Sequence, residues 1–465
     1  MSPLNAPARM FQAPVFAGRV PLSAGALTIA TLTTTPRPLL PPGRGGFPCA
    51  NKFLTQTAPP SMRRAGAHSD SPSRARATTL EATVNAVASP SLEQPSLPPH
   101  ARALPTATAR QRVLAVGLVG PGRVGSALLD QLRAARPRLA RAGLDLRLCG
   151  VAASRRMWLD VDDPELNGRH DSAQTWRPSN LDEFVAHLRG NDGHHAMLID
   201  CSASDAVASR YTEWLAGGVH VVTPNKLAGS GPMPRLQAIR AACESGARFR
   251  YEATVCAGLP VVQTLRDLLD TGDELLAVEG MFSGTLAWLC NRHDGSRPFS
   301  ALVREAHALG YTEPDPRDDL SGLDVARKLV ILAREAGWSL SLEDVDVQSL
   351  VPPELAALPM DEVMDKLHLL DAPMARHVAH AQTQGCVLRH VASLDAKGHA
   401  SVRLAVLPQS HPFAHTRLTD NVVQFTTHRY RENPMLVQGP GAGPEVTAAG
   451  VFADLLRIAE SLEVR

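Results

Sequence analysis

The stretch that most limits how this chain can fold is "RVLAVGLVGPGRVGSALLDQL", residues 112–132. Residues 112–119 form an apolar run of strand length, and Leu128, Leu129 and Leu132 then recur at helical spacing. Between them stands Gly120-Pro-Gly122-Arg123-Val124-Gly125. Strand, G-x-G-x-x-G and helix in that order predict the first βα unit of a Rossmann-type dinucleotide-binding domain. Gly120 permits the tight turn, Gly122 lets the backbone approach a pyrophosphate, and Gly125 lets the helix pack close to the sheet. The helix N-terminus, with Arg123 and Val124 in its first turn, offers unpaired N–H groups to the phosphates.

The strands that follow extend the same pattern. "LDLRLCGVAA", residues 144–153, predicts a second strand, and it ends in Ser154, Arg155 and Arg156. An NAD site usually carries an Asp or Glu there to hold the ribose 2′-hydroxyl. Cations and a hydroxyl suit a 2′-phosphate, so NADP is the expected cofactor, with NAD open because the same arginines also suit a solvated loop. "HAMLIDCSAS", residues 195–204, runs from a strand into Ser202 and Ser204, with Ser204 placed to cap a helix over residues 205–218. "GVHVVTPNK", residues 218–226, is a strand stopped by Pro224 that leaves Lys226 at its carboxyl end. Open α/β sheets bind ligands at that end. Lys226 is therefore a cofactor or substrate contact, or else a plain surface lysine.

Composition sets the outer limits. Of 47 basic and 46 acidic residues, residues 1–110 hold eleven and three, so the rest is acidic, with 36 basic against 43 acidic. That balance argues against nucleic acid as the main partner. Residues 1–110 lack periodicity and are rich in Arg, Pro, Ser and Ala, as in "TPRPLLPPGRGG". Such a segment cannot bury enough apolar surface to offset chain entropy, and it reads as an organelle transit peptide, a disordered tail or a misplaced start. No stretch reads as a membrane span. The seven cysteines are scattered singly and the seventeen histidines lack ligand spacing, which points to a reducing compartment without zinc or a disulfide framework.

"GLVGPGRVG", "VVTPNK", "YEATVCAGLPVV", "GMFSGTLAWLCN", "GYTEPDPRDDLSGLDVARKL" and "GPGAGPEVTAAGVFADLL" occur in that order. On these motifs, residues 112–465 resemble the homoserine dehydrogenases, and above all the dehydrogenase half of bifunctional aspartokinase–homoserine dehydrogenases. The resemblance implies Lys328 as catalytic lysine and Lys226 as a second active-site lysine that also touches cofactor. It places Glu313 and Asp324 around the substrate amino group, with Asp319 close by, and makes Ser202 and Gly443 cofactor contacts. Glu252, Val255, Ala257 and Leu259 match a loop for a monovalent cation such as Na+, the last three through backbone carbonyls. A homodimer is also implied, with its nucleotide domain completed by the C-terminal helix. Two positions depart from the pattern: Cys256 stands where glycine is expected, and Leu227 follows Lys226 in place of a second lysine.

The implied reaction is reversible reduction of L-aspartate 4-semialdehyde to L-homoserine. A buried lysine suits the developing alkoxide, because it is a compact charge and a proton donor. Asp324 and Lys328 are i and i+4 on a predicted helix, so they share one face; by spacing alone this is equally the signature of a surface pair. Glu313 sits in a loop constrained by Pro314 and Pro316, which limits its conformations before the substrate ammonium arrives. Two rivals stand: an aldehyde-oxidising enzyme using Cys201 or Cys256, and a non-catalytic regulatory partner from a split kinase–dehydrogenase gene. The expected architecture is a transit or disordered segment over 1–110, a nucleotide-binding domain over 111–250, a mixed α/β substrate and dimerisation domain over 251–430, and a returning segment over 431–465. Within it, residues 377–407 read as strands around an Asp-Ala-Lys-Gly turn. A plastid is the expected compartment, and threonine feedback is not expected without a regulatory domain.

Overall fold

The computed structural model describes residues 112–159, 176–190 and 194–462. The expected transit segment, residues 1–110, lies outside the described residues. Beyond it come β1 (Arg112–Val119), α1 (Arg123–Arg141), β2 (Leu144–Ala152), β3 (Arg156–Leu159), β4 (Arg177–Pro178), α2 (Leu181–Arg189) and β5 (His195–Asp200). They are followed by α3 (Asp205–Ala208), α4 (Tyr211–Ala216), β6 (His220–Val222), α5 (Leu227–Ser230), α6 (Met233–Cys243) and β7 (Phe249–Arg250). The strands form one sheet in the order β4-β3-β2-β1-β5-β6-β7, parallel from β2 to β7.

Strand β1 is buried on both faces, as a central parallel strand must be. Leu114, Val116 and Leu118 share a core with Leu128 and Leu139 of α1, while Ala115 and Val119 join Phe184, Leu188 and Trp214 on the other side. Connections leave β1 in one direction to β2 and in the other to β5, so the carboxyl end of β1 is the topological switch point where such sheets bind ligands. The single helix expected over 205–218 is instead two, broken at Ser209–Arg210. The break lets Tyr211 turn inward and bond the buried Asp200 with its hydroxyl.

The second half contains α7 (Val261–Asp270), β8 (Leu275–Met281), α8 (Gly284–Arg292), α9 (Phe299–Ala308), α10 (Pro316–Leu320), α11 (Leu323–Glu335) and β9 (Asp346–Val347). Next are α12 (Pro353–Ala356), α13 (Met360–Lys366), α14 (Asp371–Thr383), β10 (Cys386–Asp395), β11 (Ala400–Pro408), β12 (Asp420–Thr427), β13 (Met435–Pro440) and α15 (Pro444–Ser461). A second sheet runs β13-β12-β8-β10-β11-β9 and is mostly antiparallel. Helix α11 is buried almost all round, from Val325 and Ala326 to Leu332 and Ala333, and so fixes the orientation of every side chain it carries. Residues 377–383 are helix, not strand. Met374, Val378 and Ala381 bury at helical spacing, and strand begins only after the left-handed Gly385.

Strand β13 stays with the second sheet, and the chain then crosses back. α15 lies along α1, where Gln131 Nε2 donates to the Glu445 carbonyl at 2.8 Å and Arg112 to that of Ala459 at 3.0 Å. Among the described residues no helix is long and apolar enough to cross a membrane.

Candidate active site

The glycine loop is built as a phosphate cradle. Gly120 has φ +84°, and a Cβ there would lie 2.8 Å from the Cys201 carbonyl carbon and the Ser202 nitrogen, so β1 and β5 end in contact. A Cβ on Gly125 would meet the Gly120 carbonyl oxygen at 2.4 Å, which is why helix and loop can close. At Gly122 nothing lies within 4 Å of the same position, and open space remains in front of the first turn of α1. That turn has no acidic residue, so nothing competes with an anion for its N–H groups. These features fit a dinucleotide pyrophosphate. At the end of β2, Ser154, Arg155 and Arg156 are all exposed, and Arg156 stacks over Trp176 at 4.5 Å.

Ser202 and Lys226 are positioned from below by one buried network. Asp200 accepts from the Ser202 backbone N–H at 2.8 Å, from Asn225 Nδ2 at 3.2 Å and from the Tyr211 hydroxyl. Thr223 donates to the Asp200 carbonyl at 2.7 Å, and Asn225 Oδ1 holds the Leu227 N–H at 3.0 Å. Burial raises the Asp200 carboxyl above its ordinary value, and these donors oppose the rise.

A cavity of about 780 Å³ opens beside the loop. Lys328 enters it from α11, only 8% exposed, with Nζ donating to the Phe282 carbonyl at 2.7 Å and lying 2.9 Å from Asp324 Oδ2. Asp324 also reaches Lys226 Nζ with its other oxygen, at 3.3 Å. Two lysines 102 residues apart thus share one carboxylate. Burial alone would raise the Asp324 carboxyl, but the two ammonium groups hold it well below the usual range. Burial alone would likewise lower Lys328, but Asp324 keeps it above its ordinary value, so it stays protonated at neutral pH.

The opposite wall comes from the loop before α10 and from α8. The Glu313 carboxylate is exposed at the cavity mouth, and its backbone N–H donates to Asp319 Oδ2 at 2.8 Å. Asp319 is raised by burial and by its acidic neighbours, with its hydrogen bonds opposing, and its other oxygen lies 2.9 Å from Thr285 Oγ1. Ser283 caps α8 by accepting from the Leu286 N–H, and the first N–H groups of that helix, on Gly284 and Thr285, face the cavity wall without helical partners. Asp315 and Arg317, by contrast, serve the fold: Asp315 caps α10 and pairs with Arg317, which also holds the Leu358 carbonyl at 2.7 Å.

Of the residues singled out in the sequence, Arg123, Val124, Lys226, Ala257, Glu313, Asp319, Asp324, Lys328 and Gly443 line this one cavity. Gly120, Gly122, Gly125 and Ser202 form the turn behind it. Glu252, Val255 and Leu259 do not line it, but their chain neighbours Ala253, Thr254 and Ala257 do. The Glu252 carboxylate is taken by the start of α7, accepting from the N–H groups of Val262 and Gln263 at 2.8 and 2.9 Å. Burial, then the nearby Asp454, push it up to about 7. What the loop offers a cation is backbone: the buried carbonyls of Val255 and Ala257 accept no hydrogen bond among the described residues, around the left-handed pair Cys256 (φ 57°) and Ala257 (φ 55°). Carbonyl donors of that kind fit a monovalent ion, and no cluster of three acidic, His or Cys ligands exists among the described residues.

Three contributors were not legible beforehand: the Phe282 carbonyl, Thr285 and the α8 N-terminus. The Ser283 cap before an apolar helix was the available signal, but only the fold brings that terminus to the cavity that Lys328 enters. Burial pushes the thiols of Cys201 and Cys256 up, so neither is poised as a nucleophile, and the aldehyde-oxidising reading falls.

Two family models match the chain: the homoserine dehydrogenase NAD-binding domain over residues 120–252 and homoserine dehydrogenase over residues 260–456. The bifunctional aspartokinase/homoserine dehydrogenase 1, chloroplastic, of Zea mays is 48% identical over 355 residues, 75% of this chain and 39% of that protein. The chain thus spans about two fifths of the length of the curated relatives it matches first. A Candida auris protein of unknown function has the same fold, with a TM-score of 0.69 and 35% identity over 75% of this chain and 99% of that one. A homoserine dehydrogenase from Thiobacillus denitrificans shares the fold at a TM-score of 0.56 and 24% identity, over 75% and 74% of the two chains. Dinucleotide loop, lysine pair and matched sequence agree: this chain belongs to the homoserine dehydrogenase family of NAD(P)-dependent oxidoreductases.

Proposed function

We propose that this chain catalyses the reversible reduction of L-aspartate 4-semialdehyde to L-homoserine, with NADPH as its preferred reductant. The observation that carries the reading is Lys328: a buried, protonated lysine in the cavity that also contains the first turn of the dinucleotide helix. The cofactor, when bound, supplies hydride to the aldehyde carbon. The protein's part is to meet the negative charge that develops on the aldehyde oxygen. Lys328 Nζ donates the proton, and Lys226, tied to the same carboxylate, adds positive charge at that oxygen. Glu313 and Asp319, with the outer face of Asp324, receive the substrate ammonium. The unpaired N–H groups at the start of α8 suit its carboxylate. A non-catalytic partner would have no use for a charged lysine buried in such a cavity.

The finer assignments rest on further support. NADP is favoured by Ser154 and Arg155 at the end of β2, free of any acidic neighbour on that turn. A monovalent ion such as Na+ would be held by the carbonyls of Val255 and Ala257, with those of Glu252 and Leu259 beside them. In that place it would stiffen the loop packed against Lys328. A homodimer through the second sheet suits strand β11, most of which falls short of full burial within the chain. The division into residues 111–250, 251–430 and a returning 431–465 is kept as a domain proposal, and residues 1–110 as a transit segment to a plastid, the compartment in the printed names of the plant relatives.

The test is NADPH oxidation by the purified chain with aspartate semialdehyde, alongside Lys328→Ala. The variant should lose about 10²- to 10⁴-fold in kcat/KM, with NADPH affinity held within roughly threefold. A folded, NADPH-binding wild type that does not turn over this substrate overturns the proposal.

A further inference from the structure

A second cleft, of about 500 Å³, lies away from the catalytic cavity, between α6, β7, α7 and α11. Four guanidinium groups line it, those of Arg240, Arg248, Arg250 and Arg266, against two carboxylates, Asp270 and Glu335. Glu335 is already committed, bonded by Arg266 and by the Tyr251 hydroxyl. The other three arginines have no ion-pair partner among the described residues. Arg240 donates to the Arg334 carbonyl at 2.6 Å, and Arg250 to the neutral Gln263 Oε1 at 3.0 Å. Arg250 is half-buried. A partly buried guanidinium whose hydrogen-bond partner is neutral still has donors to offer an anion.

We propose that this cleft binds a small organic anion. Its oxyanion head sits on Arg248 and Arg250, and its body on the apolar floor of Leu236, Ile239 and Phe249. Guanidinium forks match phosphoryl and carboxylate oxygens in geometry as well as charge. The cleft has the volume and the mixture of apolar walls and few polar groups usual for metabolite sites. The ligand acts as a regulator. Arg250 is tied to Gln263, whose own backbone N–H holds the Glu252 carboxylate, so a ligand that draws Arg250 outward pulls on the loop that runs past Lys328.

The experiment is thermal melting of the full chain with saturating NADPH, so that the cofactor's own phosphate sites are filled. Sodium phosphate and sodium citrate are compared with chloride at matched ionic strength. Phosphate, citrate or both should raise Tm by ~2–4 °C. A response to phosphate alone assigns a phosphoryl head, and to citrate alone a carboxylate head. The shift should vanish in Arg248→Gln/Arg250→Gln and persist in Arg133→Gln, an exposed position on α1 that lines neither cavity. Arg248→Gln, at an exposed side chain with no hydrogen bond or ion pair among the described residues, should by itself weaken calorimetric binding about tenfold. No shift in the wild type, or an equal shift in the double variant as expected of a general salt effect, overturns the proposal.

Discussion

Replacing Asp324 by Asn keeps the shape of the side chain and removes the one charge that two lysines share. Lys328 Nζ stands 2.9 Å from that carboxylate and Lys226 Nζ 3.3 Å. A unit charge pair at the shorter distance is worth ~6 kcal/mol at an effective dielectric of 20, and ~1.4 kcal/mol in water. The Asp324 side chain is 44% exposed to the cavity, so the lower part of that range applies, ~1.5–3 kcal/mol. This corresponds to about one to two pKa units on Lys328. The direction follows from the wild type, where Asp324 holds Lys328 above its ordinary value against burial. Without the counter-ion, burial prevails and the amine loses its proton more readily. In the proposed reaction homoserine oxidation needs the neutral amine as base, so the rising limb of kcat/KM against pH should move down by about one to two units in Asp324→Asn. Reduction of the semialdehyde should correspondingly lose its acid at lower pH than in the wild type. Initial rates in both directions, from about pH 6 to about pH 11, measure the limb independently of any loss in substrate affinity. A uniform fall in rate with the limb unmoved would refute the reasoning, and would leave Asp324 as a substrate contact only.

The glycine loop allows a paired test. Gly122→Ala fills open space, so the protein should fold with unchanged Tm yet bind NADPH at least about tenfold more weakly. Gly125→Ala drives a Cβ into the Gly120 carbonyl, so it should cost stability as well; calorimetry and thermal melts on both variants check the contrast, and an unimpaired Gly122→Ala would remove the pyrophosphate from this loop. Glu252 makes a prediction about pH. Its carboxyl lies at about 7 in the fold, above its ordinary 4.5, so the cost of burying its charge is absent below about pH 4.5 and complete above about pH 7. The Tm of the wild type minus that of Glu252→Gln should therefore fall across this window by a few degrees. A flat difference would mean that the N–H groups of α7 hold the carboxylate ionised throughout.

Local signals carried some of this architecture. A turn needing φ > 0 at Gly120, an open approach at Gly122 and a small residue at Gly125 are each set by neighbours within a few residues, so the dinucleotide loop was readable. Asp324 and Lys328 were readable as one face of a helix for the same reason, since a spacing of four residues suffices. The helix over residues 371–383 was missed because the β-branched run after Cys386 dominated the reading, although Met374, Val378 and Ala381 carried the helical period. The Glu252 carboxylate accepts from the first N–H groups of α7, ten residues on, which its place in the motif did not reveal.

What the sequence determined by itself was therefore short-range: the cofactor loop, the caps, the i,i+4 pair and the family motifs that order them. Only the tertiary structure decided whether that pair lay on the surface or at a buried cavity. It did so by burying α11 on nearly every side and bringing Lys226, the Phe282 carbonyl and the start of α8 to the same cavity. No local pattern can specify this: Asp324, four residues away, supplies the opposite charge, but the burial around Lys328 and its hydrogen bond to the Phe282 carbonyl, 46 positions away, come from the fold.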